Sequence, residues 1–255
     1  MNTAVLGRIG ALGRAELTLL LRNRTAVFTA LLMPLLFVGI TRSSVAEVDF
    51  DDIGTTANGM VMTGGVGIVL ILVVYNNLVS AFVARREELL LKRLRTSEPT
   101  DAEILGGTAL PSVALALLQV VLLLVAGVVA LDLALPARAD LLVLGVLLGC
   151  VMLTGLAAAT SAFTRSTESA QLTVMPLLLV SLVASGLMVP LEIFPDPLAE
   201  AFRLLPLTPV MDLVRYGWLG QGTGGDVLRA LGLALVWTVL SVLAVRRWFR
   251  WEPRH

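Results

Sequence analysis

Long apolar stretches alternate with short polar ones along this chain, and the polar stretches carry nearly all of the charged residues. Most of the apolar stretches reach the roughly 20 residues that an α-helix needs to cross a hydrocarbon core of about 30 Å. The only Asp, Glu, Lys or Arg inside them is Arg229, at the edge of the last one. The pattern predicts an all-α membrane protein with six transmembrane helices, at about residues 26–40, 60–82, 104–131, 141–163, 172–189 and 228–245.

The composition supports a lipid environment and a single membrane domain over residues 1–255. The apolar set makes up 57% of the residues and charged residues only 15%, against about 25% charged residues in an ordinary soluble domain. So little charge could not cover so much apolar surface in water. The net charge of zero gives no reason to expect nucleic acid as a partner.

The distribution of Arg and Lys predicts which side each loop faces. The termini and the loops at 85–103 and 164–170 hold 14 basic residues, whereas the remaining loops hold 5. Cytoplasmic loops carry the excess of Lys and Arg, so both termini are predicted to be cytoplasmic. The predominance of Arg over Lys, with abundant Ala, Leu, Val and Gly, suggests a high-GC bacterial genome. A cleavable signal ending near Ala46 is an alternative, although Pro34 and the long leading segment argue against it.

Two kinds of helix signal stand at or within the spans. Thr100 and Glu103 form a Thr-x-x-Glu capping box just before the third apolar stretch. Gly145 and Gly149 form a GxxxG pattern in the fourth, which can seat a closely packed helix. Packing within the bundle is the favoured interpretation of the glycine pair, because glycine is abundant in this chain.

Two polar segments are predicted to be amphipathic helices on the cytoplasmic side. Residues 4–24 place leucines on one face and arginines on the other, which is typical of a helix lying in the membrane interface. A simple extension of the first span is the alternative. Residues 85–99 pair Glu88 with Lys92 at i,i+4 beside an apolar ridge of Leu90 and Leu94. A helix of this kind can dock on a partner protein; a plain polar turn that fixes topology is the alternative.

The segment between the last two spans is predicted to be more than a loop. Asp196-Pro197 and Thr208-Pro209 each match an N-cap followed by Pro at the first helical position. Two short apolar helices starting there, neither long enough to span, predict an external re-entrant hairpin over about 190–218. Glu200 with Arg203, and Asp212 with Arg215, stand at i,i+3 and can pair. Ordinary solvated charges are an equal alternative.

The chain lacks the residues that common catalytic and ion-coupled sites require. A P-loop needs Gly-Lys-Ser/Thr, and the only lysine, Lys92, follows Leu91. Cys150 and His255 are the sole cysteine and histidine, which leaves no thiol or imidazole cluster for a metal or a nucleophile. The spans contain neutral polar residues rather than the ionisable groups of proton or sodium relays. We therefore expect a protein that is not an enzyme and binds no cofactor or metal.

Three features in chain order resemble a known family over essentially the whole length. A basic N-terminal helix ending at Arg22-Asn23-Arg24 runs into a span that contains Pro34. The loop after the second span contains Arg-Glu at 86–87 and Leu-Lys-Arg-Leu-Arg-Thr at 91–96. The segment 194–209 contains Phe-Pro near its start and Leu-Pro-Leu-Thr-Pro at its end. Together they resemble the type-2 ABC transporter permeases, the membrane subunits of bacterial ABC exporters. The family often has a glycine where this chain has Leu89.

The resemblance implies a permease subunit whose ATP is bound and hydrolysed by a separate ABC ATP-binding subunit. It also implies a homodimer, or a heterodimer with a related permease, that moves an amphiphilic drug, antibiotic, peptide or lipid outward. Residues implied to couple to the ATPase are Arg86, Glu87, Glu88, Leu90, Lys92, Arg93, Leu94, Arg95 and Thr96. Residues implied to form an external gate are Phe194, Pro195, Phe202, Pro206 and Pro209.

Two other functions remain open at this point. A secondary transporter or channel with six spans would need no ATPase. A membrane-embedded enzyme or scaffold is the second rival, although no nucleophile or metal site supports an enzyme.

Overall fold

The computed structural model describes residues 57–89, 100–187 and 191–249, together with the isolated helical positions Thr18, Phe28, Leu32 and Leu36. These residues form helices joined by short connections, and none of them lies in a β-strand. Apart from the four isolated positions, the predicted helix at 4–24 and the first predicted span lie outside the described residues.

The helices are named α1 to α7 in chain order. Helix α1 begins as an α-helix over Ala57–Val69, continues as a π-helix over Leu70–Asn76 and ends as an α-helix over Asn77–Glu87. A short 3-10 turn over Leu191–Ile193 precedes α5. The remaining helices are α2 (Asp101–Leu131), α3 (Ala139–Phe163), α4 (Thr167–Ala184), α5 (Asp196–Arg203), α6 (Leu207–Leu219) and α7 (Gly224–Trp248).

Helices α1, α2, α3, α4 and α7 are the 5 helices of the described residues that are long and apolar enough to cross a membrane. They correspond to the second to sixth predicted spans, so the prediction of an all-helical, multi-pass membrane protein is confirmed. The fifth span was predicted at 172–189, which is too late in the chain. A Ser166–Ser169 capping box starts α4 at Thr167, and the backbone turns away at Ser185 and Gly186.

The predicted capping box at the start of α2 is present. The Glu103 backbone N–H donates to the Thr100 hydroxyl at 3.4 Å, and the Thr100 N–H donates to the Glu103 carboxylate at 2.6 Å. These bonds satisfy two of the N–H groups that every helix start leaves without a partner inside the helix. The change from polar to apolar residues near position 100, with its capping box, thus determines where the helix begins.

Helix α1 lies at the centre of the described bundle. Its side chains are buried along nearly its whole length, and it packs against α2, α3, α4 and α6. Its last turns lie beside the end of α7, because the rings of Phe82 and Phe249 meet edge to face at 6.1 Å. We call this the Arg86 end of the bundle. The opposite end, where α6 meets α4, is called the Arg215 end.

Glycines of α3 and α6 allow these two helices to pack at very short range. A Cβ added at Gly145 would lie 3.0 Å from Leu213 Cβ, and one added at Gly149 would lie 2.9 Å from Val210 Cγ1. A Cβ added at Gly217 would lie 2.8 Å from Leu142 Cα and closer still to the Leu142 backbone nitrogen. The GxxxG pair of α3 therefore seats α6 of the same chain, as expected for packing within the bundle.

The structure corrects the predicted starts of α5 and α6. The N-cap of α5 is Pro195, which puts Asp196 and Pro197 inside the first turn. Helix α6 begins at Leu207, with Pro206 as its N-cap, so Thr208 is not a cap. The buried Thr208 hydroxyl instead lies 2.8 Å from the Phe202 carbonyl and 3.3 Å from the Ala184 carbonyl. The hydroxyl that the sequence pattern assigned to capping therefore forms hydrogen bonds with residues outside α6.

We predict that Gly217→Ala destabilises the bundle by about 1–3 kcal/mol, because the added methyl group would overlap backbone atoms of Leu142 that cannot move aside cheaply. Thermal unfolding in detergent, followed by size-exclusion chromatography, measures the effect.

The matched control is Gly232→Ala in α7, where an added Cβ meets nothing within 4 Å. It should be neutral or should stabilise by up to about 1 kcal/mol, since Ala is a better helix former than Gly. Equal losses in both variants would contradict the close α3–α6 contact.

Candidate coupling site

The predicted coupling segment begins inside α1 rather than in a helix of its own. Arg86 and Glu87 belong to the last turn of α1, and Glu88 is its C-cap. The other predicted coupling residues lie outside the described residues: Leu90, Lys92, Arg93, Leu94, Arg95 and Thr96. The structure therefore shows how the segment leaves the bundle, at the Arg86 end.

Arg86 is buried, with only 1% of its surface exposed. Its guanidinium donates one hydrogen bond to the Ser161 carbonyl, at 2.8 Å, and another to the Thr164 carbonyl, at 2.5 Å. Ser161 lies in the last turn of α3, and Thr164 is the C-cap of that helix. Arg86 therefore joins the end of α1 to the end of α3, and it is not accessible to a docking partner.

The electrostatics of a helix terminus explain why an arginine is stable there. The last carbonyls of a helix have no N–H partner within the helix and carry the negative end of the helix dipole. A cation at that position is stabilised by up to about 2 kcal/mol in partly buried sites. The planar guanidinium can also bond two carbonyls at once, which a lysine ammonium does less well.

The spacing of buried side chains on α1 is the signal that could have identified Arg86 as internal. Tyr75, Val79 and Phe82 are all buried, and Arg86 continues this row at the spacing of one helix face. Sequence reasoning grouped Arg86 with its charged neighbours instead. The apolar row predicts that the helix and its buried face extend through position 86.

Glu87 and Glu88 are exposed at the same end of the bundle. The Glu88 carboxylate accepts a hydrogen bond from Arg85 at 3.3 Å, in an ion pair at i,i+3. Lys92, the predicted partner of Glu88, lies outside the described residues. An exposed pair of this kind contributes little to stability, and both glutamates lie on the surface.

The chain turns sharply at Leu89. Its φ is 57°, in the left-handed region, and its N–H donates to the Arg86 carbonyl at 3.0 Å. Left-handed backbone costs a residue with a Cβ about 1–2 kcal/mol, whereas glycine adopts it readily. The turn thus has the conformation that a glycine would favour, although the residue is leucine.

The predicted gate residues lie at the opposite end of the bundle, in and around α5 and α6. The rings of Phe194 and Phe202 meet edge to face, with centroids 5.2 Å apart. Pro195 and Pro206 are the N-caps of α5 and α6. Pro209 is buried within α6. The structure therefore brings Phe194 and Phe202 together and uses the prolines to set the starts of the two short helices.

Arg215 has at this end a role similar to that of Arg86. Its guanidinium donates to the carbonyls of Ser185, at 2.9 Å, and Gly186, at 2.6 Å, which follow the last turn of α4. It also pairs with Asp212 at 3.2 Å, which is one of the two alternatives that the i,i+3 spacing left open. A Cβ at Gly186 would collide with the guanidinium, so the glycine makes room for it. Sequence reasoning found the ion pair but missed the contact with α4.

Glu200 connects α5 to α7. Its carboxylate accepts hydrogen bonds from Arg203 at 2.7 Å and from Arg229 at 3.0 Å. The hydrogen bond from Arg229, together with the charge of Arg203, holds the pKa of Glu200 below its usual range. A lowered pKa keeps the carboxylate charged at neutral pH, and the pairing is lost only as the pH falls through that value.

A family model described as ABC-2 family transporter protein matches residues 41–246, which include every described helix from α1 to α7 apart from the last two residues of α7. The chain belongs to the ABC-2 transporter family. No curated protein matches it. Family membership makes this ABC-2 protein a membrane component of an ABC transporter, and it implies association with an ABC ATP-binding subunit.

We predict that Leu89→Gly in this ABC-2 protein preserves or raises thermal stability. It removes about 1–2 kcal/mol of left-handed strain, offset in part by the greater freedom of glycine in the unfolded chain.

Leu198→Gly is the control, because the two leucines are 42% and 41% exposed while Leu198 lies in α5. Glycine in a helix costs up to about 1 kcal/mol, so this variant should melt earlier. Thermal unfolding of both variants in detergent tests the prediction, and an equal loss of stability would show that position 89 is unstrained.

Proposed function

We propose that the chain is the permease subunit of an ATP-driven exporter and forms the substrate pathway, while a separate subunit binds and hydrolyses ATP. Membership of the ABC-2 family is the observation that carries this proposal. It favours an ATP-coupled transporter over the ATP-independent carrier or channel that the spans alone left open. The substrate class we favour is an amphiphilic drug, antibiotic, peptide or lipid.

The proposed topology has six spans in a bacterial inner membrane, with both termini in the cytoplasm. The first span is the apolar stretch at 26–40, preceded by an interfacial helix at 4–24. The described helices support this arrangement, because the ends of α1, α3 and α7 lie together at the Arg86 end. That end carries Arg165, Arg246 and Arg247, and basic residues of this kind favour the cytoplasmic side.

The ATP-binding subunit is proposed to dock on the segment that leaves α1 at Leu89. Glu87 and Glu88 present two exposed carboxylates at the start of that segment. The residues that follow supply Lys92, Arg93 and Arg95 as polar contacts and Leu90 and Leu94 as apolar anchors. A mixed surface of this kind suits a groove that contains both charged and apolar side chains.

The element formed by α5 and α6 is proposed to be a re-entrant hairpin and the outer gate. Helix α6 packs against α3, and its Val210 lies against Gly149, which is well inside α3. The indole N–H of Trp237, near the middle of α7, donates to the Leu204 carbonyl between α5 and α6, at 2.8 Å. A helix pair at this depth can open or close a pathway. The functional unit is proposed to be a dimer of two permease subunits.

Glu88→Lys tests the docking surface. In the permease alone it removes only an exposed ion pair, worth less than about 1 kcal/mol, so expression and membrane insertion should be nearly unchanged. At a docked interface the same reversal costs several kcal/mol through like-charge contact. We predict that co-purification of the ATP-binding subunit and transport are lost together.

Glu168→Lys is the matched control, because Glu168 is an exposed glutamate at the same end of the bundle, in the first turn of α4. It should retain the ATP-binding subunit. Retention of that subunit and of transport by Glu88→Lys would remove the segment from the docking surface. Failure of the wild-type permease to bind any ABC ATP-binding subunit would overturn the proposed function.

A further inference from the structure

Arg86 and Arg215 make the same kind of contact at opposite ends of the bundle. Each donates two hydrogen bonds from a guanidinium to carbonyls at the C-terminal end of another helix. Arg86 holds the end of α3, and Arg215 holds the end of α4. Helices α3 and α4 are consecutive, and only the connection at 164–166 separates them. Arginines from other helices therefore hold the end of α3 at one end of the bundle and the end of α4 at the other.

Arg86 holds the connection as well as the helix end. The Thr164 carbonyl, one of its two acceptors, lies directly before the residues that start α4. The Ser166–Ser169 capping box ties that connection to the first turn of α4, with the Ser169 N–H donating to the Ser166 hydroxyl at 3.3 Å. If Arg86 moves, these hydrogen bonds therefore transmit the movement to the start of α4.

Hydrogen bonds from other helices hold α4 at both ends. At its far end, Arg215 bonds the carbonyls of Ser185 and Gly186, and the buried Thr208 lies against the Ala184 carbonyl. Both of these contacts come from α6. Helix α4, which has Pro176 in its interior, is therefore tied to α1 at its start and to α6 at its end.

Arg86 is also fixed to the segment that leaves the bundle. Its carbonyl accepts the N–H of Leu89 in the left-handed turn, while its guanidinium donates to the Ser161 carbonyl of α3. A force on the residues after Leu89 acts on the same residue that holds the connection between α3 and α4.

We propose that Arg86 and Arg215 are positioning residues that make α4 a link, through which movement of the coupling segment at one end reaches α5 and α6 at the other. This rests on the proposed function, since the movement is supplied by the docked ATP-binding subunit. The two arginines touch neither nucleotide nor substrate. They determine whether the two ends of the permease move together.

Nitroxide labels at the two ends test the linkage directly. On a Cys150→Ser background, which removes the only cysteine, one label is placed at Arg165→Cys and another at Leu198→Cys, both exposed positions. The full chain is reconstituted in phospholipid vesicles with its ATP-binding subunit. Electron paramagnetic resonance spectra are compared without nucleotide and with ATP plus vanadate, so that no knowledge of the substrate is required.

The expected results differ between the two arginines. The wild-type permease should show a nucleotide-dependent spectral change at both labels. Arg86→Gln should keep the ATP-binding subunit bound but lose most of the change at both. Arg215→Gln should keep the change at position 165 and lose most of it at position 198. Arg86→Lys, which retains the charge without the planar fork, should give an intermediate response and replaces Arg86→Gln if that variant does not fold.

Two exposed arginines at the same ends serve as controls. Arg246→Gln lies near the Arg86 end and Arg138→Gln near the Arg215 end, and both should respond as the wild type does. A full response at position 198 in Arg86→Gln or in Arg215→Gln would overturn the linkage. So would a wild-type complex in which position 198 does not respond to nucleotide. A wild-type permease that binds no ATP-binding subunit would instead refute the proposed function on which the linkage rests.

Discussion

The contact between the Arg86 guanidinium and the last carbonyls of α3 is the interaction on which the Arg86 end of the bundle depends. A buried charge must be compensated, because moving it out of water costs several kcal/mol even after the protein relaxes. The carbonyls of Ser161 and Thr164 supply that compensation, at the negative end of the α3 dipole. Removing the guanidinium would take a hydrogen-bond donor away from both carbonyls. These hydrogen bonds thus hold the ends of α1 and α3 together.

Close packing of α6 against α3 gives the opposite end its shape. The glycines at 145, 149 and 217 let the two backbones approach to distances that any side chain would prevent. In lipid, such contact replaces the hydrophobic effect as a source of helix association. It also fixes where Arg215 stands, since that residue lies on the same helix and reaches the end of α4 from it. The glycine contacts and the arginine contact therefore support each other.

Sequence reasoning predicted the membrane helices well, because lipid imposes a simple rule. Apolar length identified the spans that correspond to α1, α2, α3, α4 and α7, and the Thr100–Glu103 box identified the start of α2. The boundaries of α4 were misplaced because its first turn is polar. A hydropathy pattern sees only apolar residues, whereas a Ser capping box starts a helix among polar ones.

The candidate site was harder to predict for a related reason. Arg86 and Glu88 look alike in a charged segment, yet one is buried and the other is exposed. Burial of Arg86 depends on carbonyls that are 75 and 78 residues away in the chain. Likewise, Thr208 has the pattern of an N-cap, but it bonds groups that only the fold brings near. Local sequence records which groups need partners, while tertiary packing decides which partners they receive.

The most direct test is to compare structures of the permease bound to its ATP-binding subunit without nucleotide and with ATP plus vanadate, by electron cryomicroscopy. Our account predicts that Arg86 stays within hydrogen-bond distance, about 3 Å, of the Ser161 and Thr164 carbonyls in both states. The end of α1, the end of α3 and the start of α4 would then shift as one body relative to α2. Separation of Arg86 from these carbonyls in either state would contradict the account.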